Sequence, residues 1–236
     1  GAEQVHLEFL GRLFVEAALR QGASIALDKA QANYLVNVLR LSPGDPVLLF
    51  NARDGEWRAA LQREGKKSVS LSIGQQTRPQ ERACDLHYLF APLKHARLDY
   101  MVQKAVELGV SRLQPVTTRH TQAARVNLDR MRANAIEAAE QCGILTIAEI
   151  GEALPLAKAL ELLSPGRVLI FCDEDAEMRD PVGALSGLAR GTPLELLALV
   201  GASRYARMQR EARVLRQPLL AGGRLQCRRQ RLQRER

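Results

Sequence analysis

Two cations, Lys94 and Arg97, lie in a short loop that follows an apolar run and are the first candidates for chemistry in this chain. The run from Leu86 to Ala91 predicts a strand, the next stretch carries apolar residues at helical spacing, and Val110 to Val116 predicts a second strand. A strand–helix–strand unit joins parallel strands and leaves the first loop at their carboxyl edge, where open α/β sheets bind ligands. Cations there suit the phosphates of a nucleic acid.

Motifs for other chemistries are absent from the sequence. There is no G-x-S-x-G, no G-x-x-x-x-G-K-[ST], no G-x-G-x-x-G and no H-E-x-x-H, so neither a serine nucleophile, a phosphate loop nor a zinc protease site is predicted. The four cysteines lie far apart and form no C-x-x-C pair, which favours free thiols in a reducing cytosol over a metal site. No apolar run is long enough for a membrane helix, no signal peptide is visible, and we expect a cytoplasmic protein without a metal. No catalytic residue is assigned.

The elements of the second half read as an α/β domain. Asn127 is predicted to cap a helix that runs to Cys142 and is stopped by Gly143. The other predicted elements are a strand at Ile144–Ile150, a helix at Leu156–Leu163, and strands at Arg167–Cys172 and Leu194–Val200.

The first half reads as a small β-rich barrel. Asp28 is predicted to cap a helix with an apolar face, and Trp57 is expected in the core. A polar run from Gln75 to Arg82 is predicted to be a linker. The strands are predicted at Arg12–Val15, Val47–Phe50, Trp57–Leu61 and Val69–Ile73.

The net charge of +8 is concentrated at one end of the chain. Residues 201–236 hold eleven arginines and two glutamates, a local balance of +9, whereas residues 1–200 sum to −1. Basic segments of this kind are common in nucleic-acid binding, although scattered cations elsewhere are usually only a solvated surface.

Several segments resemble one known family. The central stretch contains APLK, then RLDYMVQKAVELGV and QPV; NYLVNVLRLSPGD, LLFNARDGEW and RANAIEAAEQCG occur on either side of it. Together these segments resemble the RsmE-type ribosomal RNA uridine-N3 methyltransferases of the trefoil-knot (SPOUT) superfamily. The resemblance covers most of residues 12–200.

The resemblance implies an α/β protein with a PUA-like β-barrel for RNA binding at residues 1–76 and a SPOUT-type domain at 84–236. It implies S-adenosylmethionine as the methyl donor, small-subunit ribosomal RNA as the substrate and a homodimer. Methyl transfer from a sulfonium needs positioning and a deprotonated acceptor rather than a conspicuous motif. The implied donor-binding residues are Phe171, Cys172, Asp173, Glu174, Leu199, Val200 and Gly201, and the expected RNA-binding residues are Arg12, Arg40, Lys94, Arg97, Arg119 and Arg125.

The sequence departs from the family pattern after Gly201. The family's G-P-E-G-G run is replaced by Gly201-Ala202-Ser203-Arg204-Tyr205, and the later L-G-x-x-I-L-R segment has no counterpart. Such an abrupt change is typical of a shifted reading frame, and the alternative is a genuine basic RNA-binding tail at residues 202–236. Either way, the sequence predicts weakened donor binding. Two functions therefore stay open: an RNA methyltransferase, and a non-catalytic RNA-binding or ribosome-associated protein that has lost its donor site.

Overall fold

The computed structural model describes residues 11–64, 68–118, 126–172, 180–188, 192–198 and 219–222. The chain divides into two compact units. The first consists of residues 1–83 together with 133–147, and the second of residues 84–132 together with 148–236. The predicted domains at 1–76 and 84–236 treat each unit as one continuous segment, whereas the first unit also takes in a segment from the second half of the chain.

A sheet of five strands forms the first unit among the residues that the structure describes. Its strands are β1 (Gly11–Phe14), β2 (Ser24–Ala26), β3 (Pro46–Phe50), β4 (Glu56–Glu64) and β5 (Ser68–Arg78), in the order β1-β3-β4-β5-β2. β1 runs parallel to β3, and the other pairs are antiparallel. Alternate residues point inward, and Trp57 packs at the margin of this core as predicted. The inward residues are Leu13, Val47, Leu49, Ala59, Leu61, Leu71 and Ile73.

The helix predicted from Asp28 is present. α1 (Lys29–Asn33) begins with a capping box in which the Asp28 carboxylate accepts from the Gln31 N–H at 2.8 Å. It continues directly into a π-helix at Tyr34–Val38. Leu35 is fully buried in the core, with Val36 and Leu39 packed beside it.

The last part of α3 (Leu128–Cys142) belongs to the first unit. The Glu140 carboxylate accepts from the Phe14 N–H at 2.8 Å, and the Arg12 guanidinium donates to the Glu140 carbonyl at 3.3 Å. These bonds tie the helix to β1. The helix begins as predicted, since the Asn127 side chain accepts from the Arg130 N–H at 3.0 Å.

The predicted linker from Gln75 to Arg82 is largely structured. β5 continues through Arg78, and two side chains of this run bond the backbone after α3: Arg78 donates to the Gly143 carbonyl at 2.9 Å, and Gln80 donates to the Leu145 carbonyl at 3.1 Å. The polar composition therefore reflects side chains that satisfy backbone groups rather than a free linker.

The strand predicted at Ile144–Ile150 is shorter than expected. Only β8 (Glu149–Ile150) pairs, alongside the following strand β9 (Leu154–Pro155), and both lie next to β7 (Arg112–Thr117). Residues 144–148 form no strand, and the Leu145 carbonyl accepts a hydrogen bond from the Gln80 side chain instead of a neighbouring strand. Their apolar side chains still fill the interior, Leu145 and Ala148 being buried.

A mostly parallel sheet organises the second unit. Besides β7, β8 and β9 it contains β6 (Leu86–Phe90), β10 (Val168–Cys172), β11 (Leu194–Ala198) and β12 (Leu219–Gly222). The order is β12-β10-β11-β6-β7-β8, and every pair is parallel. This confirms the α/β class and the parallel arrangement predicted for the strands that correspond to β6, β7, β10 and β11.

Among the described residues of the second unit, the sheet is accompanied by α2 (His95–Glu107), α4 (Leu156–Glu161), α5 (Pro181–Ser186) and the start of α3. α4 is shorter than the predicted Leu156–Leu163, and α5 was not predicted. Leu156, Ala159 and Leu160 of α4 pack in one cluster with Leu89, Leu169, Phe171 and Leu197, which alternate along their strands and so lie on one face of the sheet. β12 was not predicted either. Part of the chain after Gly201 therefore pairs with β10, although its sequence lacks the family pattern.

Candidate functional site

The carboxyl ends of three neighbouring strands define the candidate site. In the register of the sheet, Cys172 at the end of β10 lies beside Ala198 of β11, and Ala198 lies beside Phe90 of β6. Two strand spacings, about 10 Å, therefore separate the backbones of Cys172 and Phe90. The loops that leave this edge are those in which sequence reasoning expected the ligand.

The structure places only part of the predicted donor site. Phe171 and Cys172 lie in β10, and the remaining predicted donor-binding positions lie outside the described residues. The Phe171 side chain is 2% exposed and packs against α4, so its backbone, rather than its ring, is what a ligand at this edge can contact. The undescribed positions are Asp173, Glu174, Leu199, Val200 and Gly201.

Apolar and neutral side chains surround the end of β10. Tyr88, Phe90 and Cys172 occupy equivalent alternate positions and so share the sheet face opposite α4. The Tyr88 and Phe90 rings lie 5.6 Å apart. Burial raises the pKa of the Cys172 thiol. The pKa of the Tyr88 hydroxyl is also raised, mainly by burial and to a smaller extent by the charge that Cys172 would carry when ionised. Both groups are protonated at neutral pH, so Cys172 is not poised as a thiolate nucleophile.

Two exposed cations follow β6 at the same edge. Lys94 is the residue before α2, and Arg97 lies in its first turn, with its N–H bonded to the Lys94 carbonyl at 2.9 Å. No acidic residue stands in that turn to neutralise them. The predicted RNA-binding residues Arg119 and Arg125 lie outside the described residues.

The two cations predicted for RNA binding in the first unit differ from each other. Arg12 donates through Nε to Glu56 at 2.8 Å, and Glu56 is 3% exposed, so the Arg12 guanidinium compensates a buried carboxylate. Arg40, in contrast, is exposed and has a φ of 57°, in the left-handed region. Sequence spacing could not separate these two roles, because the partner Glu56 is distant in the chain.

A buried polar cluster occupies the opposite, amino edge of the second sheet. Glu195 of β11 lies 3.1 Å from His87 Nδ1 of β6 and 3.5 Å from Nε of Arg167, which also pairs with Asp85 at 2.7 Å. Sequence reasoning missed this cluster. Its one signal is Glu195 as a single acid within an apolar strand.

Neither a metal site nor a membrane helix is found among the described residues. No three His, Cys, Asp or Glu side chains in these ranges are arranged to hold a metal ion. No helix of the described part is long and apolar enough to cross a membrane.

Two family models match the chain. A model described as an RNA methyltransferase domain matches residues 80–202, and one described as an RNA methyltransferase PUA domain matches residues 27–74. The first covers the parallel strands of the candidate site, and the second covers most of the barrel. The PUA-like domain and the methyltransferase domain expected from the sequence are thereby confirmed.

Characterised proteins of the same kind resemble this chain. The ribosomal RNA small subunit methyltransferase E of Rickettsia conorii is 25% identical over 187 residues, which are 79% of this chain and 76% of that protein. The protein of the same name from Bacillus subtilis is 23% identical, over 77% of this chain and 75% of that one.

Solved structures share the fold. The Neisseria gonorrhoeae ribosomal RNA small subunit methyltransferase E, bound to S-adenosyl methionine, superposes with a TM-score of 0.75 at 20% identity and covers 92% of this chain and 90% of that one. A putative methyltransferase from Legionella pneumophila in complex with the same cofactor gives 0.74 at 20% identity, over 91% and 89%. With the family models, these similarities confirm the RsmE-type resemblance, and the chain belongs to this family of RNA methyltransferases.

Proposed function

We propose that this protein methylates N3 of a uridine in small-subunit ribosomal RNA, with S-adenosylmethionine as the donor. The observation that carries the proposal is the carboxyl edge of β6, β11 and β10, where protonated and apolar side chains adjoin two exposed cations inside the segment that matches an RNA methyltransferase domain. Relatives are named for methylation of small-subunit ribosomal RNA, and a structural neighbour holds the donor.

The described residues fit a donor at this edge. Phe90 and Tyr88 give an apolar face, and the neutral thiol of Cys172 brings no charge that would need a counter-ion. When bound, S-adenosylmethionine supplies an electrophilic methyl group on a sulfonium. The loops after Cys172 and Ala198 would hold it, and the buried strand ends beneath them would keep water away.

Lys94 and Arg97 would act on the acceptor. Uridine N3 becomes a good nucleophile only after it loses its proton, and a cation near the base favours the resulting imide anion. The same two side chains can bind the flanking phosphates. They would position the RNA and stabilise charge without forming a covalent intermediate.

The test is methyl transfer from radiolabelled S-adenosylmethionine to a transcript of small-subunit ribosomal RNA. Methylation at N3 blocks the pairing edge of uridine, so reverse transcription should stop at the modified position and mass spectrometry should identify 3-methyluridine. Label on another base, or at a carbon or ribose position, would refute the proposed N3 specificity. RNA binding without any transfer would favour the alternative below.

One observation favours that alternative, an RNA-binding protein with reduced donor affinity. Where the family has Pro-Glu-Gly-Gly after the first glycine of its second loop, this chain has Ala202-Ser203-Arg204-Tyr205. Side chains replace glycines that let the backbone approach a ligand closely. Calorimetry separates the two functions: if this loop limits binding, the variant A202P/S203E/R204G/Y205G should bind S-adenosylmethionine at least about tenfold more tightly than the unsubstituted chain, which corresponds to about 1.4 kcal/mol. Equal affinities would exclude the loop as the cause.

We further propose a homodimer that acts in the cytoplasm, where its ribosomal substrate would be found. Tyr100 on α2 and Leu108, the residue that follows the helix, are exposed, so apolar side chains at this helix are available for a second copy. Light scattering should give a dimer, and L108E should shift it to a monomer. The trefoil knot of the superfamily stays a prediction for this chain.

A further inference from the structure

The helix at residues 29–38 presents a second, unassigned surface in the first unit. Its buried side is explained by the core, since Leu35 is fully buried. Its other side carries Tyr34 and Val38, which are 38% and 61% exposed, with Asn33 and Asn37 exposed beside them. Neither of these side chains, which lie one turn apart, belongs to the core cluster of the first unit.

The exposed side of this segment lies on a π turn. Leu39 N–H bonds the Tyr34 carbonyl at 2.9 Å, an i to i+5 bond, so the last turn is a π turn rather than an α turn. π turns are uncommon and occur frequently at functional sites. Within this segment Tyr34 and Val38 are exposed and Leu35 is buried.

Arg40 ends the helix where glycine is the usual residue. Its φ of 57° lies in the left-handed region, and the next N–H, that of Leu41, closes the helix end on the Leu35 carbonyl at 3.0 Å. This resembles a Schellman ending, one residue wider because of the π turn, and glycine strongly predominates at the left-handed position of such endings. An arginine at this position is strained relative to glycine. We therefore infer that the Arg40 side chain has a role that glycine could not fill.

The polar groups beside Tyr34 match the edge of a base. Asn37 Nδ2 donates to Asn33 Oδ1 at 2.7 Å. This leaves a donor, Asn33 Nδ2, and an acceptor, Asn37 Oδ1, with no partner among the described residues. The pairing edge of a nucleobase also carries a donor and an acceptor side by side, so it can bond both amide groups.

Charge on this segment favours RNA as the occupant. Residues 29–44 contain Lys29 and Arg40 and no acidic residue, and the flanking Asp28 and Asp45 carboxylates accept hydrogen bonds from the Gln31 and Ser42 backbone N–H groups. A positive segment around an exposed aromatic ring is the usual arrangement of a site for unpaired nucleotides, in which the base stacks on the ring and the phosphate meets the cation. A protein partner could pack on Tyr34 and Val38, but it would not require the unbonded amide groups of Asn33 and Asn37.

We propose that Tyr34, Val38, Asn33, Asn37 and Arg40 bind one unpaired nucleotide of the RNA substrate. The base stacks on Tyr34 and Val38, the two amides bond its edge, and Arg40 holds its phosphate. This inference rests on the proposed RNA methyltransferase function and adds a place, in the first unit, where a base outside the reaction is recognised.

The experiment measures affinity for a transcript of small-subunit ribosomal RNA, and for a single-stranded oligomer against the same sequence in a duplex. Y34A should weaken binding of the transcript and the single strand by at least about fivefold, whereas Y34F, which keeps the ring, should stay within about twofold. Duplex binding should be unchanged. If Y34A binds as the unsubstituted chain does, or loses single strand and duplex equally, the surface does not bind a base.

Arg40 provides a control for folding. R40G relieves the backbone strain and should leave the thermal midpoint equal or higher, yet it should weaken RNA binding and lower the salt slope by roughly 0.7, while R40K should retain the slope. Unchanged RNA binding in R40G would overturn the role of Arg40. Methyl transfer by Y34A and R40G, measured at saturating RNA, separates this inference from the proposed function. If both variants show normal RNA affinity and normal transfer, the nucleotide site alone is refuted. If the unsubstituted chain neither binds RNA nor transfers methyl, both proposals are refuted.

Discussion

Glu195 and His87 lie directly opposite each other on neighbouring strands and form a polar pair of a buried and a half-buried side chain, with His87 Nδ1 3.1 Å from Glu195 Oε2. Glu195 is 5% exposed. Burial raises the pKa of its carboxyl to about 7, against the opposing influence of Arg167 and Arg112, and burial also lowers the pKa of His87. Burial therefore shifts both groups toward their neutral forms, which weakens any ion pair between them.

This pair gives a pH prediction with a definite sign. Because the pKa of Glu195 in the folded protein lies above its ordinary 4.5, its contribution to stability is fully present below about pH 4.5 and is lost as the pH rises through about 7. The lowered pKa of His87 acts in the opposite direction, since its contribution is lost as the pH falls below its ordinary 6.5. E195Q keeps the shape and removes the first titration.

We therefore expect the unsubstituted protein to lose roughly 2 kcal/mol more stability between pH 5 and pH 8 than E195Q does. Thermal unfolding followed by circular dichroism at both pH values measures this difference. H87Q controls for the histidine. Identical pH dependence in the unsubstituted protein and E195Q would mean that Glu195 is ionised throughout.

Removal of Arg12 should destabilise the first unit. Its guanidinium is bonded to the buried Glu56 carboxylate, which Thr77 also contacts at 2.9 Å, and no other full charge of the described residues lies as close. R12A should cost about 3 kcal/mol, because it leaves that carboxylate buried with only the more distant Arg78. The double variant R12A/E56A should cost less than the two single changes together, and strict additivity would contradict the pairing.

Two glycines allow a matched test of close packing. Gly55 and Gly22 have nearly the same backbone, with φ of 81° and 80°, but a Cβ at Gly55 would fall on the Arg78 carbonyl, whereas one at Gly22 would meet nothing within 4 Å. G22A should cost about 1 kcal/mol through backbone strain alone, and G55A should cost at least about 2 kcal/mol more. Chemical denaturation of both variants decides it. If both variants lost the same free energy of unfolding, the loop after Asp54 would be able to move away from β5 and make room for the Cβ.

Lys94 and Arg97 should contribute to RNA affinity through charge. K94A and R97A should each lower the slope of log affinity against log salt by roughly 0.7 to 0.9, and their effects should be nearly additive. K158A removes an exposed lysine that already pairs with Glu161 at 3.2 Å, and it should leave the slope unchanged. If K158A and R97A behaved alike, the cations at the strand edge would have no special place in binding.

Elements with a local cause could be predicted from the sequence. The Asp28 cap and the Asn127 cap were found because each depends on a side chain bonding an N–H three residues ahead. The strands that became β6, β7, β10 and β11 were found because their apolar runs are continuous, as strands buried on both faces require.

Elements that depend on residues distant in the chain could not be predicted from the sequence. The polar run that holds Arg78 and Gln80 gave no strand signal, because its bonds to the backbone after α3 join residues 65 positions apart. β12 pairs with β10 by backbone bonds, and these do not depend on the family pattern that the sequence around Leu219 lacks. Arg12 and Arg40 were grouped as RNA-binding residues for a similar reason: only the fold shows which arginine faces a buried carboxylate.

The division of α3 between the two units has a consequence for how such proteins can be rebuilt. The backbone leaves the first unit after residue 83, returns at 133 and leaves again after 147, so three covalent connections join the units rather than one. A gene cut at the apparent linker would deliver a barrel without the segment whose Glu140 and Gly143 accept hydrogen bonds from Phe14 and Arg78. The two units are therefore not separate segments of sequence: exchange of the first unit between relatives must carry two separate stretches of the chain.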